Sequence, residues 1–240
     1  MENRILNEED LLICCRNKLA QINPIVKEEG VLGLLQYRKN NNKKHPDSLL
    51  TNKKYSWIAE FLYGGIPESV DTIFNCWSMI KLYDAVHNGT NESRDSNTIL
   101  ECIRNGQNIF MDEHKKEFDL LADRHHSIAN FMPAPKGFNG WAQNRGKGKY
   151  NQDNDFPDIY YKRAKNEFPD MYKWIQNNME LYSLEVFKEK ITPWENGKAN
   201  FRTMKIKPTE GELFNIAKRM NELLEDRAEN LIKRSKKNKL

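Results

Sequence analysis

What most constrains this chain is a helical hydrophobic period that runs through most of its 240 residues and has its longest interruption between Arg124 and Asp158. Apolar residues recur at three- and four-residue steps in block after block, as they do when one stripe of an amphipathic helix faces a core. Ile5, Leu6, Leu11, Leu12, Cys15, Leu19 and Ile22 give a first helix over residues 4–22, and Ile25, Val26, Val31, Leu32, Leu34 and Leu35 a second, reaching Tyr37. A polar loop, Arg38 to Ser48, precedes a helix from about Leu49 to Tyr63 that ends at Gly64-Gly65. Pro67-Glu68 is then read as the start of a helix carrying Val70, Ile73, Phe74, Trp77, Ile80 and Leu82.

After a turn-rich stretch, His87 to Asn97, residues 98–122 divide into two shorter helices, the second running from about Asp112 to Ala122. Beyond the interruption, helix returns at Phe156 to Glu167 and from Pro169 to about Lys190, with Met171, Trp174, Ile175, Met179, Tyr182 and Val186 on one face. The connector Ile191 to Pro208 has room for a short strand at Phe201 to Ile206. A final helix from Thr209 to Lys233 bears Leu213, Ile216, Met220, Leu223, Leu224 and Leu231 as a packing seam or a surface for self-association, with Thr209 as N-cap. The expected fold is all-α or nearly all-α: a multi-helix bundle with a long ordered central loop, forming one compact helical domain over residues 1–240. Composition agrees, since 38% hydrophobic and 30% charged residues suffice for a core.

Several function classes fall away. No stretch approaches the roughly 20 apolar residues that span a bilayer, and the acidic start MENRILNEEDLLICC is unlike a secretory signal, so no membrane insertion and a cytosolic location are expected. Cys14, Cys15, Cys76 and Cys102 contain no CxxC pair, which argues for reduced, packed thiols over a zinc site. Net charge is +4, yet Lys233, Arg234, Lys236, Lys237 and Lys239 alone exceed it, so the basic character sits in the tail (residues 234–240 and the lysine just ahead). Such a tail is either a solvated helix end, favoured by the helix dipole, or a contact for nucleic acid.

The central segment, RHHSIANFMPAPKGFNGWAQNRGKGKYNQDNDFPD, holds the candidate chemistry. His125 and His126 are potential bases or ligands, and Asn130 could orient a reacting group. Arg145, Lys147 and Lys149, interleaved with Trp141 and preceded by Asn139, would suit phosphate contact and base stacking. Asp153 and Asp155 follow, carboxylates that could hold a divalent metal. Together they give a candidate metal-dependent phosphodiester hydrolase: His125 or His126 activating water, the aspartates on the metal, the basic residues on phosphate. Each residue also has an ordinary structural role: the histidines as core filling, the asparagines as loop supports, and the aspartates as caps for the helix led by Phe156-Pro157. GKGK is not a phosphate loop, because neither Gly146-Lys147 nor Gly148-Lys149 is followed by the required Ser or Thr. Patterns GxSxG, HExxH and DxDxDG are absent from the sequence.

Three local resemblances attach to these residues. His126 to Asn139, continuing into DFPDIYYKRAK (Asp155 to Lys165), resembles a His-x-Ile-x-Asn-Phe box, followed by Pro, Phe-Asn and an acidic turn, in a group of uncharacterised bacterial proteins. His126, Ile128, Asn130, Phe131 and Asn139 are similar in spacing to a stretch of His-Asn-His nucleases, with Ala129 in place of that family's glycine and no counterpart of its upstream Asp-His strand. That resemblance implies a nucleic-acid substrate. EEGVLGLL (Glu28 to Leu35) and FLYGGIPESVDTIF (Phe61 to Phe74) resemble cytoplasmic helices of flagellar stator proteins of the MotA type, which implies only a local helix–turn–helix. Two classes therefore stand: a nucleic-acid-associated protein with hydrolase chemistry, and a non-enzymatic helical module that binds a protein partner.

Overall fold

In the computed structural model the described residues are 30–40, 69–90, 93–134, 161, 165–166, 169–182, 185 and 207–237. They form six helices and one short antiparallel ribbon: α1 (Gly30–Asn40), β1 (Ser69–Thr72), α2 (Cys76–His87), α3 (Ser96–Arg104), α4 (Asp112–Arg124), a 3-10 turn (Ile128–Asn130), β2 (Phe131–Ala134), α5 (Pro169–Tyr182) and α6 (Glu210–Lys237). The fold is nearly all-α, as the periodicity implies. None of these helices is long and apolar enough to cross a membrane.

The long α6 packs along α4, α2 and the 3-10 turn, while α1 lies against α4 and α3. Between them sits one core, in which Leu34, Phe74, Met79, Tyr83, Phe118, Leu121, Phe131, Leu213, Met220 and Leu224 are fully or almost fully buried. Five of the six residues expected to line the last helix, Leu213, Ile216, Met220, Leu224 and Leu231, are buried there, and Leu223 packs at the margin. Burying that stripe contributes on the order of 1.5–3 kcal/mol per large side chain, so α6 is held by packing rather than by intrinsic propensity. Thr209 caps it as expected. Its hydroxyl accepts from the Glu212 backbone N–H (3.2 Å), and the Glu212 carboxylate accepts from the Thr209 N–H (2.7 Å), a reciprocal capping box.

The seam between α4 and α6 is polar at one edge. Arg124 donates to the Asn221 carbonyl (2.7 Å) and the Glu225 carboxylate (2.8 Å), while the Asn221 amide donates to both the backbone and side chain of Glu117. At the start of α1, Gly30 has a left-handed φ of 50°. There the Asp119 carboxylate on α4 accepts from the Val31 N–H at 3.0 Å, capping one helix with a side chain of another.

One expected helix is wrong at its start. Residues 69–72 are a strand, and α2 begins only at Cys76. Three constraints outweigh the helical spacing of Val70, Ile73 and Phe74. The strand pairs with β2 in the register Ser69 to Ala134, Val70 to Pro133, Asp71 to Met132 and Thr72 to Phe131. Ile73 N–H donates to the Asn130 carbonyl (2.7 Å). Asn75 is the true N-cap, its side chain accepting from Ser78 N–H at 3.2 Å. The central loop is likewise shorter than expected at its start, because residues 128–134 are ordered as a 3-10 turn and a strand. Pro133 is tolerated because a two-stranded ribbon has open edges.

Candidate functional site

The box at His125–Asn130 lies where α4 ends and the chain turns back toward β1. Asn130 is the centre of that turn. Its side-chain oxygen accepts from Phe74 N–H (2.8 Å), and its amide nitrogen donates to the carbonyls of Phe74 (3.1 Å) and His125 (2.6 Å). Its own carbonyl holds Ile73 N–H. One asparagine thus satisfies both backbone groups of Phe74, at 0% exposure. Arg227 of α6 donates to the carbonyls of Ile128 and Ala129 from the other side, so the turn is gripped from two elements.

His125 and His126 are also buried, at 3% and 6% exposure. Their rings touch edge to face (centroids 4.3 Å apart). His125 meets Trp77 at 5.2 Å and His126 meets Tyr37 at 5.7 Å, both T-shaped. These are packing geometries for aromatic rings. The residues expected beside them, Asn139, Trp141, Arg145, Lys147, Lys149, Asp153 and Asp155, lie outside the described residues. So do the expected helix over residues 4–22 and the strand over 201–206. Among the described residues no group of three or more His, Cys, Asp or Glu side chains is placed to hold a metal ion. Cys76 is buried as a packed thiol. Cys102 is half-buried, with Arg94 donating to its sulfur.

A second polar cluster, not anticipated from the sequence, joins α2, α4 and α6. The Tyr83 hydroxyl donates to Glu210 Oε1 (2.7 Å) and accepts from Met111 N–H (3.3 Å). His87 Nδ1 lies 3.0 Å from Glu210 Oε2, and His114 Nδ1 lies 2.9 Å from Oε1 and 2.6 Å from the Tyr83 oxygen. The Glu210 carboxylate is therefore met by three groups, each able to donate. Burial alone would raise its pKa, but the hydrogen bonds from Tyr83 and His87 and the nearby histidine charge outweigh that and hold it below the ordinary 4.5. Tyr83 is pushed well above the usual tyrosine value of 10, first by burial and then by its bond to Glu210. Aromatic contacts complete the cluster: Tyr83 stacks on Phe110 (4.9 Å) and His114 on Phe214 (4.3 Å).

A third charged pair is internal to the α2–α3 connection. Asp84, fully buried, accepts from two guanidinium nitrogens of Arg94 and from Asn88. Its carboxylate raises the Arg94 pKa beyond its usual value. The adjacent Asp95 caps α3 by accepting from Asn97 N–H (2.8 Å) and Thr98 N–H (3.1 Å), which hold its pKa below 3.8.

The chain matches no protein-family model, no curated protein and no solved structure.

Proposed function

We propose that the chain is a nucleic-acid-associated protein that binds a phosphate backbone through the basic end of α6, and that its His-Asn box serves the fold rather than hydrolysis. The observation that carries this reading is the extent of α6. The helix stays continuous to Lys237, six residues past Leu231, the last buried side chain among the described residues. Those six residues include Lys233, Arg234, Lys236 and Lys237 and no acid. Four cations fall within little more than one turn of a helix whose other end is anchored in the core. Such an element presents positive charge at low ordering cost, which a free tail does not. Lys233 makes an exposed contact of 3.5 Å to Glu229, worth little and readily exchanged for a phosphate.

The hydrolytic part of the expectation has less support. A water-activating histidine must reach an open surface beside a metal, whereas His125 and His126 are buried and the amide of Asn130 is committed to three backbone groups. The divalent-metal expectation rests on Asp153 and Asp155, outside the described residues.

The test is fluorescence anisotropy with a labelled duplex over a salt series. With all four cations engaged, affinity falls on the order of a hundredfold between 50 and 200 mM salt. A variant carrying Lys233→Gln, Arg234→Gln, Lys236→Gln and Lys237→Gln loses most of the binding and most of that salt dependence. Binding unchanged in this variant would refute the proposal. If the same variant instead loses capture of an acidic protein while duplex binding persists, the protein-interaction reading replaces it.

A further inference from the structure

Tyr161 forms a polar cluster with Tyr172 and Gln176 of α5. The Tyr161 hydroxyl lies 3.2 Å from that of Tyr172, and the Gln176 side-chain nitrogen lies 3.0 Å from the Tyr172 oxygen and 3.4 Å from the Tyr161 oxygen. The two rings are tilted by 50° with centroids 5.1 Å apart, and both pack partly against the core. Their ring bodies are thus fixed, while Gln176 is exposed.

Counting protons shows what is left over. Two phenols bring two O–H donors, and only one proton fits between two oxygens 3.2 Å apart. The Gln176 amide hydrogens are spent on the same two oxygens. One phenolic O–H and the Gln176 carbonyl oxygen therefore have no partner among the described residues. A hydroxyl that already accepts hydrogen bonds is a better donor for it. The cluster so presents one donor beside one acceptor, next to tilted aromatic rings. Lys173, three residues before Gln176 on the same helix face, and Lys165 are both exposed.

We propose that Tyr161, Tyr172 and Gln176 form a subsite that reads the edge of an unpaired nucleobase. A base edge offers an acceptor beside an N–H donor, the complement of a phenol O–H beside an amide oxygen. That edge is occupied by the opposite strand in a duplex, so the subsite selects single-stranded nucleic acid. Lys173 supplies the charge for an adjacent phosphate. The inference rests on the nucleic-acid reading above, but it concerns different residues and a different preference.

The experiment measures anisotropy of a short single-stranded oligonucleotide and of its duplex against the full chain. It uses wild type, Tyr172→Phe, Gln176→Leu and the variant with the four tail substitutions, with thermal melts establishing that each is folded. Tyr172→Phe keeps the ring and removes one hydroxyl, so single-strand affinity falls about five- to tenfold while duplex affinity is unchanged. Gln176→Leu, on an exposed side chain, gives the same pattern and stands in should Tyr172→Phe not fold. Equal loss on both ligands, or no loss on either, overturns the subsite even where the tail variant behaves as proposed. Loss of single-strand preference in Tyr172→Phe together with full binding by the tail variant would instead refute the tail and leave the subsite standing. Competition by a free dipeptide amide as strong as that by a mononucleotide would also overturn it, because a peptide presents the same donor–acceptor pair.

Discussion

Replacing Asn130 with Ala should cost far more than a polar-to-alanine change at a surface loop. Three hydrogen bonds disappear, and two of them serve the same residue, so Phe74 loses a partner for its N–H and one for its C=O in a place water does not reach. The third leaves the His125 carbonyl without that donor, just where α4 must end. Each of the three bonds contributes about 1 kcal/mol net, and a stranded buried N–H costs about 1–3 kcal/mol more, so a loss of about 4–6 kcal/mol is expected. For a chain of this length each kcal/mol corresponds to roughly 2–4 °C in Tm, and the melting temperature should drop by roughly 10 °C or more.

The measurement is thermal or urea unfolding followed by far-ultraviolet circular dichroism, with Asn130→Asp in parallel. The aspartate keeps the acceptor for Phe74 N–H but turns an oxygen toward two carbonyls, so at neutral pH it should be at least as destabilising as alanine. A Tm change under about 3 °C for Asn130→Ala would show that the turn does not depend on these bonds, and would reopen a functional role for the asparagine. A stable Asn130→Asp would be equally damaging to the reasoning.

The other two stability predictions follow from the helix starts. Gly30→Ala combines a left-handed φ with a new Cβ driven into the Asp119 carboxylate, so it should destabilise by about 1–3 kcal/mol, read as a lower urea midpoint; a neutral effect would refute the cap. Glu210 and Asp95 are both held below their ordinary pKa values, so their contributions are present above about pH 4.5 and are lost as pH falls through the lower folded values. Acid titration of stability by urea unfolding should show a decline below about pH 4.5 that is shallower in Glu210→Gln, and an identical decline would refute the role of Glu210.

The amphipathic helices were legible because burial imposes their period directly. Leu213, Ile216, Met220, Leu224 and Leu231 could be read from spacing alone, and Thr209 with Glu212 announced its capping box. Val70, Ile73 and Phe74 stand at helical spacing, yet only Val70 lies in the four-residue strand, and Ile73 and Phe74 belong to the bend that follows it, a stretch too short to carry a period of its own. What decides between strand and helix there is β2, some sixty residues away in sequence. The signal that could have separated them was local after all: Asn75, an N-cap residue directly before Cys76, marks a helix start better than Pro67-Glu68.

The same distinction separates the histidines of the central box from those of the helices. His125 and His126 are adjacent, in a segment rich in glycine, proline and asparagine, and such text reads as a functional loop. Yet a chain that leaves a helix, turns under two others and enters a strand needs the same residues for its backbone: an asparagine to replace lost main-chain partners and compact rings to fill the corner. His87 and His114, by contrast, sit inside ordinary helical text and share a carboxylate with Tyr83 only because α2, α4 and α6 converge. Tyr161 meets Tyr172 from eleven positions away with no motif between them, while Tyr172 and Gln176 are neighbours one turn apart on α5. In the His125–Asn130 turn, the Asn130 side chain is spent on the backbone that it closes. The Tyr161, Tyr172 and Gln176 groups bond to one another through side chains alone, beside the exposed Gln176, so none of the three bonds is spent on closing a turn of the backbone.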